Sequence, residues 1–507
     1  MKIPDVFKSR DEFDLTAGGV GKPLFYLSLP IVVTNLLQTA YNLADTFWIG
    51  QYSTNALAAI SFAFPMVFLI ISLGMGLAVA GSILVAQHTG AGQDGEAEYA
   101  ASQTVGFAAV AAVVLGAVAY FLVGDVLALL GASEDVLPLA TAYMEIISLG
   151  ILFMFGFFVF ISLMRGYGDT ITPMLVMLGS VALNVVLDPF LIFGWWIFPQ
   201  WGIEGAAIAT VFSRGLALAV GLWIMLSGRR GVRIRPRDIV PDLHYGRRLV
   251  RIGVPASVEG TGQAVAINLL MFIVGTFSTP VVAAFGIGVR VFSVIFLPAI
   301  AVARGVETMS GQNIGAGKPD RAALTARVAA RTTFVVLAVA GVVTFLFADP
   351  IVALFTNDRA VIEVGATFLR YVAPSFGFIG IMRSYNGGFR GAGKTLTAAA
   401  IAVSMLGLIR LPIAWVASGF MGPPGIWLSF VVSNVAGAVI ALLVDFVGTA
   451  GVVSGLLATE RGALRVHGAA LRRHDVPHAI AAGIGRIPED RNAEGVVGDM
   501  RTWENAV

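Results

Sequence analysis

Twelve apolar stretches, each long enough to cross a bilayer, leave this chain few folds to choose from. A membrane-spanning helix needs about 20 mostly apolar residues. Such stretches run roughly over 24–49, 55–87, 99–123, 136–163, 173–194, 203–226, 250–275, 281–308, 325–348, 360–388, 396–418 and 424–447. In hydrocarbon every backbone N–H and C=O must be bonded internally, so segments of this length read as helices. Composition agrees: 57% of the 507 residues are hydrophobic and 13% charged. That is too little polar surface to coat a soluble core of this size.

The chain repeats itself. A shift of 225 residues brings Pro30 onto Pro255, Gln38 onto Gln263 and Gly50 onto Gly275. The same shift brings QHTGAG at Gln87 onto QNIGAG at Gln312, and RGYGDT at Arg165 onto RGAGKT at Arg390. Between the copies lies the one long polar break, GRRGVRIRPRDIVPDLHYGRR from Gly228 to Arg248. The expected fold is therefore an all-α integral membrane protein, with twelve transmembrane helices in two pseudo-symmetric six-helix lobes. Its expected divisions are a cytoplasmic N-terminal segment (1–23), an N-lobe (24–227), a basic cytoplasmic linker (228–249), a C-lobe (250–447) and a disordered cytoplasmic tail (448–507). Two parallel lobes with a cleft between them suit a transporter that rocks between inward-open and outward-open states.

Basic residues set the orientation. With the N-terminus inside, the inner segments hold 24 of the 33 Lys and Arg, and the outer loops hold Arg359. Both termini are expected in the cytoplasm of a multi-pass plasma-membrane protein. Trp48, Trp195, Trp196, Trp201, Trp415 and Trp427 fall at predicted outer helix ends, where an interfacial belt is expected. The net charge of +2 gives no bias toward nucleic acid, and the absence of Cys excludes disulfides and thiolate metal sites. No cofactor and no enzymatic activity are expected.

One motif is a false friend. Gly388–Thr395 reads GFRGAGKT and fits the phosphate-loop pattern. That loop needs a strand before it and a soluble α/β domain around it, and neither is present. The plainer reading of both RG-x-G-x-T loops is a tight glycine turn with its arginine held at the cytoplasmic headgroups.

Polar residues inside spans are costly and usually functional. In the first span Thr34, Gln38, Tyr41, Asn42 and Asp45 recur at helical spacing and form one stripe. In the fifth, Asn184 and Asp188 share a face, and the sixth offers Thr210. Asp45, Asp188 and Thr210 all lie a few residues from the outer ends of their spans. Two close carboxylates in low dielectric cannot both carry charge cheaply. Such a pair either holds a shared proton or binds Na⁺ among oxygen ligands. The alternative is that Asp45 and Asp188 cap helix ends or pair with Arg214. The second half lacks this set, since Asp45 aligns with Leu270. It carries Glu259, Gln263, Arg290, Glu307, Arg370 and Arg410 instead. Arg290, Arg370 and Arg410 are expected to pair with Glu residues in preference to lining the cleft. Arg304, Arg327, Arg331 and Arg383 are expected to snorkel near inner helix ends. Gln38, Tyr41, Asn42, Gln263 and Glu259 are the candidates for contact with cargo.

The twelve spans, the duplication, the paired QHTGAG and QNIGAG loops and the paired RG-x-G-x-T loops resemble the MATE (multidrug and toxic compound extrusion) transporters. PIVVTNLLQTAYNLADTFWIG from Pro30, LNVVLDP from Leu183 and GIEGAAIAT from Gly202 look like the family's first, fifth and sixth helices. The resemblance covers roughly residues 15–447 and looks closest to the DinF-like branch, archaeal members included. In that branch the cation site matches Asp45, Asn184, Asp188 and Thr210 here. Another branch uses acidic residues in helices 7 and 10. Glu259 answers to the first, but no acidic residue occupies the core of the tenth span. The resemblance implies a monomeric antiporter in the lipid bilayer. It would export amphipathic organic compounds, often cationic or aromatic, in exchange for H⁺ or Na⁺. A flippase of a lipid-linked precursor within the same superfamily is the alternative. It would need a basic cavity, and such proteins commonly have fourteen spans.

The topology is directly testable in a chain without Cys. A Cys at Gln200 should react with an impermeant thiol reagent from outside intact cells, and one at Gly231 should not. The reverse pattern would invert the assignment.

Overall fold

In the computed structural model, residues 7–8, 12–129, 133–453, 465–466 and 469–470 are described. Among them are twelve helices long and apolar enough to cross a membrane. They are α1 (Gly21–Tyr52), α2 (Thr54–Gly90), α3 (Asp94–Leu129), α4 (Leu137–Tyr167), α5 (Ile171–Phe193), α6 (Ile203–Ser227), α7 (Leu243–Val274), α8 (Thr279–Gly315), α9 (Pro319–Leu346), α10 (Arg359–Gly391), α11 (Thr395–Met421) and α12 (Pro423–Asp445). The last helix continues to Val453. A two-residue ladder pairs Arg465–Val466 with Ala469–Ala470. The tail expected from Gly448 onward otherwise lies outside the described residues.

Local chemistry explains where the helices stop. Gly168 ends α4 in the left-handed region at φ 103°, and its repeat partner Gly393 does so after α10 at φ 80°. A residue with a Cβ resists that conformation, which is why both loops place glycine there. Asp169 then caps α5, its carboxylate accepting from the Ile171 and Thr172 N–H groups. The linker is pinned to α3. The Gln103 amide donates to the carbonyls of Asp238 and Val240 and accepts from the Asp242 N–H. Glu98 pairs with Arg235. Asp242 in turn caps α7 by accepting from the His244 N–H.

Helices α1–α6 pack as one lobe and α7–α12 as the other; across the lobes α2 packs against α7 and α8, and α1 against α8. The lobes meet closely toward the end of the bundle that carries the linker, called here the linker end. The repeated motifs clasp one another there. Gln87 donates to the Gly391 carbonyl at 3.0 Å. Gln312 donates to the Gly166 and Tyr167 carbonyls at 3.1 and 3.0 Å. Each lobe thus satisfies carbonyl groups that the other lobe's helix terminus leaves unbonded. Glycine makes the approach possible: a Cβ on Gly90 would lie 1.9 Å from the Gln312 carbonyl oxygen, and one on Gly315 would lie 1.8 Å from that of Gln87.

Two expectations need correction. Trp427 is not interfacial: it is 1% exposed and packs against Phe285 and Phe368 in the C-lobe core. Gly231 is a poor site for a labelling Cys, because its φ is +71° and a Cβ would meet Met164 Sδ at 2.4 Å. The neighbouring exposed Arg230 serves that test better.

Gly90→Ala should destabilise the purified protein, because the obstructing atom is backbone and cannot rotate away. A cost of about 1–3 kcal/mol is the usual range for overpacking. Thermal unfolding followed by Trp fluorescence should show a clear fall in Tm. Gly95→Ala, with open space at its Cβ, should show no fall.

Candidate functional site

The stripe of α1 meets α5 and α6 inside the N-lobe. Asn184 and Asp188 are fully buried and Thr210 is 3% exposed. Their placement follows from helix geometry, since residues four apart on α5 lie on one face. Asn184 Nδ2 donates to Asp188 Oδ1 at 3.1 Å. Tyr41 Oη donates to Thr210 Oγ1 at 2.7 Å and ties α1 to α6. The Asp45 carboxylate, half-buried on α1, reaches the side chains of Asp188, Asn184 and Thr210. All four residues of the expected cation set are therefore brought together.

Neither aspartate caps a helix end, and neither is ion-paired to Arg214. That arginine donates to Gln38 Oε1 at 2.9 Å and to Met177 Sδ at 3.0 Å. Its guanidinium lies over the rings of Tyr41 and Phe157, 4.5 and 5.3 Å from their centroids. The charge is thus spread over a neutral amide and two aromatic faces. Three buried oxygens, Asp45 Oδ1, Asn184 Oδ1 and Asp188 Oδ2, have no hydrogen-bond partner among the described residues. Buried polar atoms are rarely left so, because each lost bond costs free energy. Two carboxylates, an amide oxygen and a hydroxyl form an all-oxygen set, the kind a hard cation prefers. The same carboxylates can instead share a proton.

The cleft candidates divide. Gln38 and Asn42 are half-buried and bonded to each other, Gln38 Nε2 donating to Asn42 Oδ1 at 3.2 Å. Tyr41 is turned into the N-lobe core. Gln263 is half-buried on α7. Glu259, expected to face cargo, lies instead in a buried charge cluster near the linker end. Arg390 Nη1 donates to both Glu259 oxygens at 2.9 and 3.0 Å, and its Nε donates to Glu307 Oε2 at 3.0 Å. Arg304 also donates to Glu307, at 3.0 Å.

Arg390 is therefore not at the headgroups, as its motif suggested. It is 6% exposed and joins α7, α8 and α10. Arg304 is paired as well as near a helix end. The signal for this cluster was in the sequence, because two acidic residues inside C-lobe spans require buried counter-charges. The pairings with Glu expected for Arg290, Arg370 and Arg410 do not form among the described residues. Arg370 pairs with Asp349, on the short helix Ala348–Ala353. Arg410 donates to Ser433 and Asn434, and its guanidinium lies 4.3 Å from the Phe430 ring centroid.

The MatE family model matches twice, over residues 30–190 and 255–416. The chain belongs to the MATE family. Each match falls on the corresponding part of one lobe, so each lobe carries one copy of the family's repeat. The FAD transporter of Shewanella oneidensis is 29% identical over 84% of this chain and 94% of its own. A Bacillus subtilis protein named "Probable multidrug resistance protein YpnP" is 30% identical over 84% of this chain and 95% of its own. Among solved structures, the MATE transporter VcmN of Vibrio cholerae superposes with a TM-score of 0.80 at 24% identity, over 85% of this chain and 97% of that one. That likeness shows the fold. MATE proteins are transporters, so this chain is a multi-pass membrane transporter and not an enzyme. The closeness to archaeal members expected from the motifs is not borne out.

Removing one partner from a buried ion pair costs roughly 3–5 kcal/mol, because the other charge is left uncompensated. Glu259→Gln should therefore lower Tm and the yield of folded protein. Transport per folded molecule should be retained, which flux normalised to monodisperse protein would measure.

Proposed function

We propose that this MATE protein is a secondary active antiporter of the plasma membrane that exports amphipathic organic compounds in exchange for H⁺ or Na⁺. Relatives named as multidrug resistance and multidrug export proteins support the drug or toxin class of cargo. The observation that carries the coupling is the buried meeting of Asp45 and Asp188 with Asn184 and Thr210. A proton shared by the two carboxylates, or Na⁺ among the four side chains, would neutralise charge that the N-lobe otherwise leaves bare.

Coupling then follows from linkage. The ion and the cargo must favour different conformations, or no gradient could drive export. The site lies toward the helix ends opposite the linker. With the linker and both termini cytoplasmic, as the basic residues argue, the cation enters from outside and favours release of cargo there. The lobes, 24–227 and 250–447, would move about the linker-end clasp. The flippase alternative is disfavoured by twelve spans among the described residues.

Asp45→Asn should abolish gradient-driven export while leaving the protein folded and inserted, since Asn is nearly isosteric. Asp188→Asn should act alike. Export by Asp45→Asn at the wild-type rate under both proton and sodium gradients would sink the coupling site.

A further inference from the structure

Arg370 and Arg410, which lie outside both the coupling site and the charge cluster, have partners of their own; Arg290 does not. Arg290 on α8 is exposed and has no ion-pair or hydrogen-bond partner among the described residues. It lies eleven residues into α8, about 16 Å from the helix start at 1.5 Å per residue. That is roughly halfway through a hydrocarbon core of about 30 Å. Even with its side chain leaning toward the helix N-terminus, the guanidinium stops short of the surface. A charge at that depth faces water or protein in preference to lipid.

Helical phase says which way it faces. Eighteen residues, five turns of 3.6, separate Arg290 from Thr308, Ser293 from Gly311 and Leu297 from Gly315. Those three partners all touch the N-lobe. Thr308 Oγ1 donates to the Arg165 carbonyl at 3.2 Å. A Cβ on Gly311 would lie 2.9 Å from Ala86 Cβ, and Gly315 abuts the Gln87 carbonyl. The helix is continuous over Thr279–Gly315 across Pro298. The face of α8 that seals the lobes at the linker end therefore carries Arg290 and Ser293 farther out, where both are exposed. One turn from Arg290, Gly286 has nothing within 4 Å of a built Cβ. The exposed face of the outer part of α9, residues 335–346, contrasts with this. It is wholly apolar, with Val335, Val339, Val342, Phe345 and Leu346, as a lipid-facing surface should be, whereas the exposed Arg331 and Thr332 lie nearer the linker end.

We infer that Arg290 faces the cleft between the lobes and recognises an anionic group, carboxylate or phosphate, on the transported compound. The inference rests on the exporter reading and narrows its cargo to amphipaths that bear an acidic group. An unpaired guanidinium offers two parallel N–H donors to a carboxylate or phosphate and repels a cationic dye.

The test is equilibrium binding to purified protein in phosphatidylcholine nanodiscs, read by fluorescence anisotropy. The probes are two fused aromatic dyes of opposite charge, fluorescein and ethidium. Arg290→Gln should weaken fluorescein binding roughly tenfold or more, the size of one charge-assisted hydrogen bond. It should leave ethidium binding unchanged or tighter, and Arg290→Lys should retain most of the fluorescein affinity. Unchanged fluorescein binding in Arg290→Gln overturns the inference. So does an effect seen only in phosphatidylglycerol nanodiscs, which would assign the arginine to lipid headgroups. As an independent readout, Arg290→Cys should react with an impermeant maleimide in proteoliposomes, and a lipid-facing position would not. The binding comparison stands whether or not export proves gradient-driven, which Asp45→Asn judges separately.

Discussion

A charge inside a bilayer and away from any water-filled cleft has no solvent to fall back on, so a buried ionised group must find its compensation within the fold. The two lobes meet this demand in opposite ways. In the C-lobe, Arg390 lies between Glu259 and Glu307, with Arg304 adding a second donor to Glu307. There the charges answer one another, two arginines to two glutamates, with Arg390 Nη1 shared between both Glu259 oxygens, although Glu307 Oε1 keeps no hydrogen-bond partner among the described residues. In the N-lobe, Asp45 and Asp188 face each other with buried oxygens left unbonded. The nearby cation, Arg214, is engaged by Gln38, Met177 and two aromatic rings. One lobe holds its charges in a locked structural element, and the other leaves a deficit that an exchangeable cation can fill.

This asymmetry grew within a duplicated frame. The repeat conserves what the backbone needs: the left-handed glycines Gly168 and Gly393, and the clasping amides Gln87 and Gln312. It does not conserve the charged side chains, since Leu270 stands where the first lobe has Asp45. Backbone termini impose the same requirement in both copies, whereas the proposed coupling site is needed once. The clasp also explains why glycine recurs at Gly90 and Gly315. The lobes touch through main chain there, and each glycine meets a carbonyl of the opposite copy.

Fold and acidic site were legible for the same reason: both are written in periodicities that hydrocarbon enforces. Span lengths follow bilayer thickness, and Asn184 and Asp188 share a face because helices repeat every 3.6 residues. What could not be read was which distant groups meet. The loop RGAGKT resembled a surface turn because its glycines signalled a turn, and nothing local told that Arg390 would fold inward to acids 83 and 131 residues away. Trp427 misled in the same way. Its place near a helix start suggested an interface, yet the Phe-rich packing of Phe285, Phe368 and Phe430 draws it into the core. Arg410 sits at the end of a π-helical segment, Ser404–Arg410, just before Pro412. That irregularity, set by the proline's missing N–H, turns it toward α12 and away from any Glu.

The positions of these elements suggest how a change at one end of a lobe reaches the other. Helix α1 carries Asp45 toward its far end and packs against α8 nearer the linker, where Gly305 meets Ser28 and Leu24. It is therefore anchored to the acidic site through Tyr41 and Thr210 and to the opposite lobe through its early turns. In the coupling proposed above, neutralising the acidic pair would remove a repulsion between α1 and α5 and let them approach. A rigid helix cannot shift at one end without moving its contacts at the other, and close-packed interfaces respond by switching between arrangements instead of deforming smoothly. Pro30 lies within that first part of α1 and frees one carbonyl of the helical ladder. The helix nevertheless runs unbroken from Gly21 to Tyr52 across that proline, so the two contact regions stay on one element.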